Sequence, residues 1–181
     1  MKGVVFTTFL DMVESTWDFE MVDTIIENSE LESGGAYTAV GTYDHSEAVA
    51  LVSALSAATD IGVDALLKTF GKHLFGVLIA GHPEFAAGVE HPLDFLEGVE
   101  RYIHVEVRKL YPDAELPKFE CHRKSDNELI MIYASGRHLE DLCEGLIQGC
   151  LEFFKQKADL TRRTLPDLRE EFTISLIAEP S

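Results

Sequence analysis

Residues 117–135, PKFECHRKSDNELIMIYAS, decide the fold class of this chain. They read as a hairpin whose two strands are joined around KSDN, a cluster of turn-forming residues. Upstream the pattern is helical. Residues 3–15 carry Val5, Phe9, Met12 and Val13 along one face, and a second segment runs from about Asp18 to Glu27. The Gly-rich SGGAYTAVGTY is a loop. Asp44 is expected to cap a helix reaching Ala58, and Asp60 to cap another through VDALLKTFGKHLFGVLIAG. Pro92 suits the first turn of a helix running to about Leu110. Downstream of the hairpin a helix is expected over 139–157. KADLTRRT and EFTISLIAE then form a second strand pair, with Pro166 and Asp167 at the turn. The reading is α+β: a helical first half, then β-β-α-β-β with a four-stranded antiparallel sheet.

At 181 residues, with 46% hydrophobic and 26% charged side chains, the chain is expected to be one domain with a sizeable core. The net charge of −17 repels phosphate, which disfavours nucleic acids and anionic membranes as partners. The opening MKGVVFTTFLDMVE is interrupted by Asp11 and Glu14 and lacks a secretory pattern. AVALVSALSAA and HLFGVLIAG are too short to cross a bilayer. Three cysteines, Cys121, Cys143 and Cys150, form no CxxC pair, which suggests reduced thiols and a cytoplasmic protein. Their spacing gives no support to a zinc site with His122. Cys143 and Cys150 share a helix face and are either buried filler or oxidation-sensitive.

No nucleophile elbow, dinucleotide fingerprint, P-loop or H-E-x-x-H is present, and the carboxylates single out no acid/base pair. An enzyme is not expected. GLIQG puts Gly145 and Gly149 on one helix face, for close approach to another backbone or to a flat ligand. On the 92–111 helix, Leu96, Val99, Ile103, Val107 and Leu110 form an apolar stripe, and His104 lies about 100° from Ile103 at its edge. Taken alone, such a histidine is more often a structural or exposed residue than a ligand, and a ligand role needs independent support. Tyr133, Ser135 and Arg137 form Y-x-S-x-R. In an extended segment these residues share one side, where a phenol, a hydroxyl and a guanidinium suit a dicarboxylate edge.

With MKG at the start, His104 on its helix, LPKF (116–119), YASGR (133–137) and the EGLIQG helix, the chain resembles the H-NOX (haem–nitric oxide/oxygen binding) family. That family is related to the sensory domain of soluble guanylate cyclase. The resemblance covers nearly all of residues 1–181 and is to the stand-alone bacterial type. It implies haem b buried between a helical distal part (1–60) and a proximal part with the sheet (61–181). His104 would ligate the iron, and Tyr133, Ser135 and Arg137 would hold the propionates. Pro117 and Val5 would press on the porphyrin. Phe9, Leu74, Leu78, Leu142 and Leu146 would line the distal pocket.

In the dioxygen-binding members a tyrosine donor stands where this chain has Leu142. Bound dioxygen carries partial negative charge and gains from such a donor, whereas nitric oxide needs it less. The resemblance therefore implies a sensor of nitric oxide, with carbon monoxide as an incidental ligand, that discriminates against dioxygen. With Ser181 directly after the last expected strand, action in trans is expected, on a histidine kinase or a diguanylate cyclase. Two alternatives stay open: a haem-dependent dioxygen or redox sensor, and a haem-free acidic interaction module.

Overall fold

The computed structural model describes residues 1–177, so the last two residues of the strand expected at 171–179 lie outside it. Helices α1 (Gly3–Thr16), α2 (Phe19–Glu27), α3 (His45–Thr59) and α4 (Val63–Gly81) come first. Asp18 and Asp44 cap α2 and α3 by accepting the Met21 and Ser46 N–H groups. Asp60 does not cap α4, which starts after Gly62. It ends α3 in the left-handed region at φ 59°, a conformation that aspartate tolerates better than most residues.

The helix expected over 92–110 is interrupted. Helix α5 (Pro92–Gly98) passes into one π turn (Val99–Ile103) before α6 (His104–Leu110). The His104 N–H bonds to the Val99 carbonyl, five residues back. One extra residue in a turn rotates everything after it by about 100°. The apolar stripe therefore breaks: Leu96 is buried, whereas Leu110 is 56% exposed. His104 moves from the stripe's edge into the protein, where it is 8% exposed.

Strands β1 (Lys118–Ser125) and β2 (Glu128–Ala134) form the expected hairpin, turning at Asp126–Asn127. Helix α7 (Glu140–Phe153) stops short of Lys157, because Lys155 adopts φ 56° and reverses the chain into β3 (Ala158–Thr164). Strand β4 (Glu170–Leu176) completes a four-stranded antiparallel sheet of order β1-β2-β4-β3. Period-two alternation buries Leu129, Met131 and Tyr133 of β2 with Phe172 and Ile174 of β4. They share a core with Leu93 and Leu96 of α5 and Ile147 and Leu151 of α7. A second core joins α1, α2 and α3. Helix α4 serves both, with Phe70 and Leu74 in one and Phe75 and Ile79 in the other. No single helix among the described residues is long and apolar enough to cross a membrane.

The glycines of GLIQG serve backbone approach. A Cβ on Gly145 would lie 2.2 Å from the Lys68 carbonyl oxygen and 2.9 Å from the Gly71 Cα. Both obstacles are α4 backbone, which has no rotamer to change. Gly145→Ala should therefore lower stability by about 1–3 kcal/mol, at the upper end of that range. The checking measurement is the shift of the urea midpoint at unchanged slope.

Cys143 and Cys150 are buried in the core between α7 and the sheet. Burial pushes both thiols far above their ordinary range, and pushes half-buried Cys121 up to about 11. Neither buried thiol should react with iodoacetamide at pH 8 until the protein is unfolded, as mass spectrometry would show. Among the described residues no cluster of three or more His, Cys, Asp or Glu side chains is placed to hold a bare metal ion.

Candidate haem site

His104 opens α6 directly after the π turn, and its Nδ1 lies 3.0 Å from Glu100 Oε2. Glu100 also accepts from Arg108 Nη2 at 3.2 Å and from the Phe119 backbone N–H at 3.3 Å. Burial opposes its charge, but hydrogen bonds from Arg108 and His104 prevail and hold the carboxyl below its usual range. An ionised carboxylate only accepts, so the network assigns the imidazole proton to Nδ1 and leaves the lone pair on Nε2. Burial lowers the imidazole's own pKa, with Glu100 pulling the other way. The neutral ring is the form that ligates a metal.

The ring packs against Phe119 of β1, with centroids 5.6 Å apart, and Phe119 packs against Tyr133 of β2 at 5.7 Å. Those two residues face each other across the hairpin. The imidazole and the Y-x-S-x-R segment are thereby brought to one region. They do not converge by strand alternation, however. Strand β2 ends at Ala134, and Gly136–Arg137 form a turn leading to His138 at φ 51°. The Ser135 hydroxyl accepts the Arg137 N–H at 3.2 Å, a local bond that competes with sheet pairing. Burial pushes the Tyr133 phenol up to about 12, opposed by hydrogen bonds involving Ser135 and the Leu139 backbone.

Arg137 already holds a carboxylate. Its guanidinium donates to Glu115 Oε2 at 2.7 Å and to the Glu115 carbonyl at 3.0 Å. Pro117 is half-buried just after this clamp. The Met1 ammonium is close by, its pKa lowered by burial and then by Arg137. Lys2 ties this end to the chain after α6, through Asp113 at 3.3 Å and a cation–π contact with Tyr111.

Val5, expected against the porphyrin, and Phe9 and Leu142, expected on the distal side, line a largely apolar cavity of about 120 Å³ with Met1, Phe70, His138 and Leu139. Leu74 is buried in the same core as Phe9, Phe70 and Leu142, and Leu78 and Leu146 pack half-buried against it. None of those three reaches the cavity, and neither do His104, Tyr133, Ser135 and Arg137. The volume suits a diatomic gas and is well below the ~300–1,000 Å³ of a cofactor pocket. The segment 133–142 joins the two groups: Tyr133 meets the Leu139 backbone, and Leu139 lines the cavity. The sequence reading missed Glu100, Glu115, Met1 and Leu139. Only Glu100 had a visible signal, its i,i+4 spacing from His104.

A porphyrin brings four nitrogen ligands of its own and needs one from the chain, so a single buried imidazole with a free lone pair fits it. An arginine already holding a carboxylate suits its propionates. This chemistry, on this sheet-and-helix scaffold, defines a haem-binding α+β domain. A family model described as haem-NO-binding matches residues 2–162. Among solved structures, the unliganded Fe(II) H-NOX protein from K. algicida is 43% identical, over 99% of this chain and 98% of that one, with a TM-score of 0.93. The IWP-051-bound Fe(II)CO H-NOX from Shewanella woodyi is 42% identical, over 97% and 94%, with a TM-score of 0.82. The H-NOX protein from S. oneidensis in the Fe(II)NO state is 25% identical, over 98% and 100%, with a TM-score of 0.90. A search of curated protein sequences found no match. The chain belongs to the H-NOX family of haem-based gas sensors.

Proposed function

We propose that this protein senses nitric oxide at ferrous haem b, discriminates against dioxygen and regulates a separate signalling protein, a histidine kinase or a diguanylate cyclase, in the cytoplasm. Bound haem would supply an iron that takes a diatomic gas. His104 would ligate that iron through Nε2. Tyr133, Ser135 and Arg137 would hold the propionates. Pro117 and Val5 would pack against the macrocycle. Phe9 and Leu142 would keep the gas side apolar, and Leu74, Leu78 and Leu146, in or against the same core, would add no donor to it.

The observation that carries this reading is the buried His104, whose hydrogen bond at Nδ1 leaves Nε2 to ligate. The apolar lining around Leu142 carries the choice of gas. With haem bound, weakening of the His104 bond would release α6 from its tether and let the helical part (1–60) move against the part with the sheet. The free energy for the shift is the difference in gas affinity between tethered and released states. No catalytic turnover is proposed; the output is a change of shape read by the partner.

The test is the absorption spectrum of purified, reduced protein, first in air and then with nitric oxide. A spectrum unchanged by air but altered by nitric oxide is expected. A stable dioxygen complex, or a protein that stays colourless after haem supplementation, would overturn the proposal.

A further inference from the structure

Glu100 is the acidic side chain that touches the candidate iron ligand, and three contacts hold it in place. Its Oε2 takes His104 Nδ1 at 3.0 Å and the Phe119 N–H at 3.3 Å, and its Oε1 takes Arg108 at 3.2 Å. The three partners come from the start of α6, one turn further along the same helix and strand β1, so the carboxylate is braced across two elements. It stands one residue into the π turn and pairs with the residue that follows that turn. His104 has only 10% of its side chain exposed, so water competes poorly for its Nδ1–H.

We infer that Glu100 is a positioning residue for His104: it selects the Nδ1–H tautomer, fixes the ring plane and raises the electron donation of Nε2. It thereby sets how strongly the imidazole holds iron and how readily nitric oxide releases it. The inference deepens the haem reading of this site and rests on it. A carboxylate that accepts the second N–H of a ligating histidine makes the ring more basic, and losing such a partner commonly weakens metal binding about 10–100-fold. A bystander ion pair between Glu100 and Arg108 would leave the ring's electronics alone.

Two variants separate these roles. Glu100→Gln keeps the size and an acceptor oxygen but removes the charge, and Glu100→Ala removes both. In the ferrous unliganded protein, resonance Raman should show the iron–histidine stretch shifted to lower frequency in Glu100→Gln and further in Glu100→Ala. The nitric oxide complexes should lose the histidine bond faster in the same order. A frequency equal to that of the parent in both variants overturns the inference, even if the melting temperature falls. Nitrogen-15 NMR of the haem-free protein supplies a second readout: His104 protonated on Nδ1 in the parent, with that preference lost in Glu100→Ala. A parent ring protonated on Nε2, or a preference unchanged in the variant, also overturns it. If the chain takes up no haem, the proposed function fails and the NMR result alone decides the Glu100–His104 pairing.

Discussion

Replacing His104 by Ala is expected to lower haem affinity at least about 100-fold, while the fold survives. The estimate starts from the ~10–100-fold that loss of a partner one step removed from a metal already costs. As the proposed direct ligand, His104 should cost more than that range when it is removed. Survival of the fold follows from position. His104 sits at the boundary of α6 and outside both buried apolar cores, although it packs against Phe119. Its loss strands Glu100, which keeps Arg108 and the Phe119 N–H as partners and is 31% exposed. The measurement is haem stoichiometry from the Soret absorbance after gel filtration, with circular dichroism as the fold control. With imidazole supplied at high concentration the variant should regain haem but not the helix movement, because the rescuing ring has no covalent link to α6. Normal signalling by the rescued variant would refute the tether.

Leu142→Tyr is the converse change, expected to raise dioxygen affinity about ten- to a hundredfold. Leu142 is 9% exposed at the wall of the apolar cavity, where Val5 and Phe9 offer no donor. A hydroxyl placed there donates to a ligand carrying partial negative charge. Hydrogen bonds to charged groups contribute about 1.5–3 kcal/mol, which sets the tenfold to hundredfold scale. Nitric oxide affinity should change much less. The readout is the dioxygen dissociation rate by stopped flow. No gain in either rate or equilibrium affinity would mean that the apolar lining around residue 142 does not govern the choice of gas. The tyrosine adds volume to a cavity of about 120 Å³, so a stability measurement belongs beside the kinetics.

Much of this was legible in the residues. The hairpin at 117–135 was readable because the turn formers sit at one place and period-two burial follows on β2. Asp44 advertised its helix through a short side chain that can reach an N–H two residues on. The class of the protein was legible from His104, YASGR and EGLIQG together, and the family match over residues 2–162 supports it. Asp60 was misread because aspartate serves both as an N-cap and as a left-handed C-cap, and only the backbone at φ 59° tells them apart. The end of α7 was misread because nothing local forbids a helix through Lys155. The reversal there is imposed by β3 having to reach β4.

By itself, then, the sequence determined the α+β class, the strand pairs and the chemical inventory: one imidazole, three polar donors and an apolar set. Those depend on side-chain identity and on periods that short stretches carry. Only the tertiary structure decided which way His104 faces, because a single π turn rotates α6 by about 100° and no residue type demands one. It alone decided that Phe119 flanks the ring, and that Arg137 is held by Glu115, 22 positions away. Such contacts join elements distant along the chain, and packing of the two cores sets them.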